Sequence, residues 1–141
     1  MLVRLLYASR AVDASPKAIE SIFASARQHN HEQGVTGILV YGDGVFMQAI
    51  EGGRAAINAL YATILRDARH QDVQLLHYQE ITERRFGGWT MGLVNADRVN
   101  SGVLLKYSER AELNPYAVSG GMSLALIEEL AATASIVGRA G

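Results

Sequence analysis

Cysteine is absent from the 141-residue chain, and only two prolines occur in it. Without a thiol there is no disulfide, no thiolate metal site and no cysteine nucleophile. An excess of charge is missing as well: 13 basic residues stand against 14 acidic ones, with no basic block and no acidic tail. Phosphate neutralisation needs a positive face, so nucleic acid is not an expected partner. No stretch approaches about 18 apolar residues, and the run Leu2–Ala8 is too short for a signal segment with its cleavage site. No membrane association is expected, and the expected location is the cytoplasm. Metal-ligand spacing is lacking too, since His29 and His31 fall on different helix faces and His70 and His77 lie elsewhere. Gly42–Gly44 joins two strands instead of leading a strand into a helix, so it is no phosphate loop, and no nucleophile elbow occurs. Hydrolase and nucleotide-kinase chemistry therefore lack their residues, and no enzyme activity is expected.

What the chain does have is a core. Hydrophobic residues make up 49% of it and charged ones 19%, at a length that suits one domain. Met1–Ser9 reads as a central strand, with Val3, Leu5, Tyr7 and Ser9 on one face and Leu2, Leu6 and Ala8 on the other, where Arg4 interrupts. Ser15-Pro16 starts a helix whose Ile19, Ile22, Phe23 and Ala26 recur at helical spacing, ending near Asn30 and closed by Gly34.

The stretch Gly34–Gly53, GVTGILVYGDGVFMQAIEGG, predicts a β-hairpin: strand Val35–Tyr41, a Gly42-Asp43-Gly44 turn, then strand Val45–Glu51. On the second strand Phe46, Gln48 and Ile50 share one face, while Val45, Met47, Ala49 and Glu51 share the other. A second helix follows Gly52-Gly53, with Ile57, Leu60, Tyr61, Ile64, Leu65 and Ala68 as its stripe. Strands Val73–Ile81 and Trp89–Val94 come next, and Trp89, Met91 and Leu93 are expected on one face of the latter. The order βαββαββ predicts an α+β, ferredoxin-like sheet with both helices on one face.

Residues 96–141 form a C-terminal helical extension to a 1–95 domain. Ser108–Leu113 is expected to be a short helix stopped at Asn114-Pro115, and Ser123 to cap another that carries Leu124, Ile127, Leu130, Ala131 and Ala134 and ends at Gly138. Its apolar stripe must cover either the open sheet face or another subunit, and exposed apolar positions there favour a homo-oligomer.

The informative residues are polar ones on faces that should be apolar. Gln48 sits within an apolar stripe, and a buried amide without a partner costs about 1–3 kcal/mol. One reading has Tyr7 bonding a backbone carbonyl, Gln48 bonding Tyr7, and Asn30 capping its helix. The other has all three converging on one planar polar ligand between the two helices, with Ile22 and Ile64 as its apolar walls.

Tyr7 on the first strand, Asn30, the hairpin TGILVYGDGVFMQAIEG and the run Trp89-Thr90-Met91-Gly92 resemble BLUF domains, over about residues 1–95. Those are blue-light receptors that bind flavin, usually FAD, non-covalently between the helices of a ferredoxin-like sheet. The resemblance implies that Tyr7 is the photochemical electron donor, that Gln48 is the switch beside the flavin, and that Asn30 bonds the pyrimidine edge of the ring. Asp67-Ala68-Arg69-His70 is similar to the family's Asp-x-Arg-His segment, which implies Asp67 and Arg69 near that same edge. Phe46 and His29 complete the expected cofactor contacts. Trp89 and Met91 become the candidate signal relay, competing for a place near Gln48. The sequence departs from some members at Thr63, where they carry an arginine.

The residue types suit that chemistry. A tyrosine, with an ordinary pKa of about 10, is neutral in the dark and sheds its proton when it loses an electron. A glutamine amide has a donor end and an acceptor end, so it relays that proton and returns with its hydrogen bonds rearranged, by rotation or by tautomerisation. The missing cysteine excludes a thiol–flavin adduct. A receptor this short must act on a downstream protein partner or through its own assembly. The competing reading is a light-independent ferredoxin-like ligand-binding or oligomerising module. An acylphosphatase-like hydrolase would need glycine in Ser9–Ala14, and an RNA-binding sheet face would need exposed aromatics and more cations than Arg4.

Overall fold

The computed structural model describes residues 1–133 and the backbone of the short strand Val137–Arg139. In chain order the elements are β1 (Leu2–Ala11), α1 (Pro16–Gln33), β2 (Thr36–Gly42), β3 (Val45–Gly53), α2 (Arg54–Arg66), β4 (His70–Ile81) and β5 (Trp89–Asn95). A 3-10 turn Ala96–Arg98, α3 (Ser101–Tyr107), α4 (Gly120–Thr133) and β6 (Val137–Arg139) follow. The described strands form one sheet in the order β4-β1-β3-β2-β5-β6. Only β2 and β5 run parallel; the other neighbours are antiparallel. The βαββαββ frame is the one expected, with β1 central between β3 and β4.

Period-2 alternation sends each strand's apolar residues to two separate layers. Val3, Leu5, Tyr7, Phe46 and Ile50 pack with Ile19 and Ile22 of α1 and Ile57, Leu60 and Ile64 of α2, so both helices lie on one face. Leu6, Met47, Ala49 and Val94 pack on the other face with Leu104 of α3 and Leu126, Ile127 and Leu130 of α4. The C-terminal stripe is thus used on this chain's own sheet, where each fully buried Leu or Ile contributes about 1.5–3 kcal/mol. The stripe itself is thereby taken up within the chain, while Leu105 and Met122 of the extension stay exposed.

Local signals fix the helix ends. The Ser15 hydroxyl accepts from the Ala18 amide, Pro16 takes the first turn, and Gly34 closes α1 in the left-handed region at φ 66°. The hairpin turns on Asp43 (φ 53°) and Gly44 (φ 74°), with Gly42 still paired to Val45 in the ladder. The two-residue turn therefore differs from the three-residue one expected. Gly42 is needed for another reason: a Cβ there would lie 2.9 Å from that of Ala96.

Several expectations fail after residue 60. Leu65 is exposed on α2, and Ala68 lies beyond the helix. The short helix occupies Ser101–Tyr107 and not 108–113, because the Asn100 side chain, a preferred N-cap, accepts from the Gly102 amide. α4 begins at Gly120, where the Ser119 hydroxyl accepts from the Met122 amide, so Ser123 is a buried interior residue and not the cap. Gly138 belongs to β6 and does not end the helix. Ala134 lies outside the described residues.

Candidate functional site

Register brings the central pair together. Tyr7 of β1 is the direct cross-strand partner of Gln48 of β3. Both side chains are buried on the face covered by α1 and α2, and the Tyr7 hydroxyl donates to Gln48 Oε1. The other end of the amide donates from Nε2 to Met91 Sδ at 3.4 Å. Tyr7, Gln48 and Met91 thus form one directional chain across β1, β3 and β5, inside a layer that is otherwise apolar. Burial, followed by the Asp67 charge, pushes the Tyr7 phenol well above the usual tyrosine range, so it is neutral at any working pH.

A cavity of about 120 Å³ opens beside this chain between α1 and α2. Ile22 and Ala26 line it from α1, Leu60 and Ile64 from α2, and Leu39, Tyr7 and Gln48 from the sheet. His29, Asn30, Asp67, Arg69 and His70 supply polar groups around it. Asn30 lies in the last full turns of α1 and is 1% exposed; its side chain is not a cap. Its Nδ2 donates to the Thr90 carbonyl at 3.0 Å, while Oδ1 is buried and has no partner. A buried acceptor left this way costs about 1–3 kcal/mol unless a ligand N–H meets it. An imide-bearing planar ring satisfies that atom, and two apolar helix walls suit its faces, so the residues present fit a flavin.

Asp67 and Arg69 reach the cavity as a pair. The guanidinium Nε and Nη2 donate to the Asp67 carboxylate at 2.7–3.1 Å, and the Arg69 amide donates to it at 2.9 Å. Hydrogen bonding from Arg69 holds the Asp67 carboxyl below the usual range, and Asp67 in turn holds the guanidinium pKa up. Thr63 also lines the cavity, its hydroxyl donating to the Ala59 carbonyl.

Two expected contacts are placed differently. Phe46 does not line the cavity; it packs against the His70 ring (centroids 5.3 Å apart), and His70 is the lining residue. Trp89 packs with the α4 layer on the opposite face from Met91, its Nε1 buried and unpartnered. Regular pairing of β5 with β2 begins only at Gly92, while the Trp89 amide donates to the Phe86 carbonyl in a turn. Alternation therefore does not run back through Trp89, and the two side chains part.

His70 is the residue that sequence reading left out of the site. Its Nδ1 lies 2.7 Å from the Ser9 hydroxyl, and its ring meets Tyr7 edge-on at 6.4 Å. The signal was its place after Asp67-x-Arg69 at the very start of a strand. Burial holds the imidazole below its ordinary 6.5, against the opposing Asp67 charge and with Arg69 adding to the depression. As pH falls, the unfolded chain binds this proton before the folded one does. The stability His70 contributes is thus complete above about pH 6.5 and is lost as pH drops toward the folded value. We expect the melting temperature to fall on acidification through that window, and His70→Gln to flatten the fall; an unchanged slope would remove His70 as its cause.

The sequence profile of the BLUF family, described as sensors of blue-light using FAD, matches residues 2–92. Photoactivated adenylate cyclase subunit beta of Euglena gracilis is 34% identical over 92 residues, covering 64% of this chain and 11% of that protein. The blue light- and temperature-regulated antirepressor BluF of Escherichia coli (strain K12) is 35% identical over 88 residues, 62% of this chain and 22% of the relative. The chain thus spans 11% to 22% of the length of these two curated relatives. The dark state structure of the BLUF protein BlrB superposes with TM-score 0.76 at 35% identity, covering 93% of this chain and 95% of that one. The photo-activated state of BlsA superposes with TM-score 0.81 at 29% identity, covering 92% and 94%.

Proposed function

This chain belongs to the BLUF family of blue-light sensors that use FAD, and from that premise we propose that Tyr7 and Gln48 are its photochemical pair and Met91 the first member of its output path. The observation that carries this reading is the buried hydrogen-bond chain from Tyr7 through Gln48 to Met91 at the wall of the cavity. Asn30, Ile22, Ile64, His29, Asp67 and Arg69 would hold the cofactor, with His70 and not Phe46 at its wall.

Bound flavin supplies the absorption of blue light and an electron acceptor. Tyr7, neutral and bonded to Gln48 Oε1, releases its electron together with its proton, because an oxidised phenol is strongly acidic. The proton leaves along the one hydrogen bond the hydroxyl donates. Gln48 relays it through its amide, electron and proton then return to Tyr7, and the amide is left with its donor and acceptor ends exchanged. The rearranged amide would then be able to donate to a carbonyl of the bound cofactor, which would lower the transition energy and shift absorption to the red. The bond to Met91 Sδ is broken by the same exchange, and β5 leads directly into the 3-10 turn and α3.

Residues 1–95 act in this proposal as the sensor and 96–141 as the output extension, engaging a downstream protein or a second copy of the chain. The cyclase and antirepressor named among the relatives support an effector of some kind. No described helix is long and apolar enough to cross a membrane, and a cytoplasmic location goes with the proposal.

The test is a visible spectrum of dark-purified protein, repeated after a blue flash and during dark recovery. A flavin spectrum that shifts slightly red and returns supports the reading. A colourless protein that stays so when offered FAD overturns it in favour of a light-independent binding module. Asn30→Ala is expected to weaken flavin binding by roughly tenfold, the worth of one buried hydrogen bond. Titration of apoprotein with FAD measures it, and unchanged affinity would detach Asn30 from the ring.

A further inference from the structure

Glu51 is a fully buried carboxylate that the photochemistry leaves unused, on the same strand as Gln48 and facing the opposite layer. Its direct cross-strand partner is Arg4, whose Nη2 reaches Oε2 at 2.7 Å and whose Nε donates to the same oxygen at 2.9 Å. The pair alone does not account for the site. Oε1 accepts from the Phe86 amide at 2.6 Å, and Oε2 accepts from the Arg85 amide at 3.1 Å.

Those two amides belong to the connection between β4 and β5. The same connection ends where Phe86 O accepts from the Trp89 amide, the turn from which β5 departs. Phe86 is itself buried, with the Arg4 guanidinium over its ring at 5.7 Å. The side chain of Arg85 forms an ion pair with Glu128 on α4. One carboxylate on the strand of Gln48 therefore holds the point at which β5 starts, and the next side chain along that point touches the C-terminal helix.

We propose that Glu51 is a positioning residue of the light switch: its grip on the Arg85 and Phe86 amides fixes where β5 begins, which sets Met91 against Gln48 and places Trp89 on the far face. The inference rests on the photoreceptor reading of Gln48. Charge-assisted hydrogen bonds are the stronger kind, and two from one carboxylate fix direction as well as distance. Gln48 and Glu51 share β3, and Phe86 and Met91 share the segment that runs from the β4–β5 connection into β5, one strand beyond β2. When Gln48 releases Met91 Sδ, β5 loses one of its ties to β3, and the Glu51 bonds to the Arg85 and Phe86 amides are the ties that must adjust.

Two measurements on the full chain test this. The first is site-resolved amide hydrogen exchange in the dark and under blue light, with no substitution made. The Arg85 and Phe86 amides are expected to be protected in the dark and to change protection in the light; identical exchange in both states overturns the proposal. The second uses Glu51→Asp, which keeps a charge for Arg4 but withdraws the carboxylate by about 1.5 Å, one carbon–carbon bond. Met91 is then less well held as the acceptor for Gln48, so dark recovery of the red-shifted state is expected to slow by roughly fivefold or more. A lowered melting temperature with wild-type recovery would reduce Glu51 to a structural anchor and overturn the proposal. Should Glu51→Asp not fold, the exchange measurement decides alone. If the wild-type flavin spectrum does not respond to light, the photoreceptor reading fails; if it responds and neither measurement moves, only the role of Glu51 does.

Discussion

Gln48→Leu is expected to abolish the light-induced red shift while the protein remains yellow. Leucine fills most of the volume of the amide and suits the apolar layer of Phe46, Ile50 and Leu39. It has neither a donor nor an acceptor, so the Tyr7 proton has no path and the cofactor gains no new hydrogen bond. The substitution also leaves the buried Tyr7 hydroxyl without its acceptor, a cost of about 1–3 kcal/mol in stability. The other lining residues, on both helices and at Asn30, Asp67 and Arg69, are unchanged, so flavin retention separates loss of the switch from loss of the site. Absorption before and after a blue flash, with flavin content measured on the same sample, checks both. A variant that still shifts red would show that the spectral change does not originate at this amide.

Tyr7→Phe is expected to be as complete. The ring stays packed against Tyr61 at 5.9 Å and against His70, so the core is kept and only the hydroxyl is removed. Gln48 Oε1 then loses its donor, again at about 1–3 kcal/mol. No other described aromatic stands in the same relation to the amide. Trp89 lies beyond the sheet on the other face, and Tyr61 makes no hydrogen bond to Gln48. An electron drawn from either would leave the Gln48 amide where it was. Flash absorption again reads the result, and a persistent red-shifted state in Tyr7→Phe would assign the donor elsewhere.

These two expectations rest on residues that alternation alone singled out. Tyr7 and Gln48 were legible because a polar group in a period-2 apolar stripe demands a partner. Asn30 was legible as unusual but was readable as a cap. Its spacing held the answer, since it lies about three turns from Ile19 and so on the buried face of the same helix. The pairing of Asp67 with Arg69 is likewise local in sequence. His70 and its bond to Ser9 were not legible, because the contact joins two strands 61 residues apart.

The second layer was harder to read. Arg4 and Glu51 each interrupt an apolar face, but nothing local says that two residues 47 apart answer one another; the register of β1 on β3 does. Trp89 and Met91 alternate in sequence, yet the turn held by Phe86 delays regular pairing and sends them to opposite faces. Composition and local patterning by themselves determined the strand and helix order through β5, the absence of thiol chemistry, and the polar residues that need partners. Those follow from propensity, capping and periodicity, which act within a turn or two of chain. The tertiary structure alone decided that α4 covers the sheet, that Asn30 Oδ1 faces a cavity unpaired, and that Glu51 holds the start of β5. Each of those depends on which distant groups meet in the dry interior, and that is set by strand register and packing, not by neighbours in the chain.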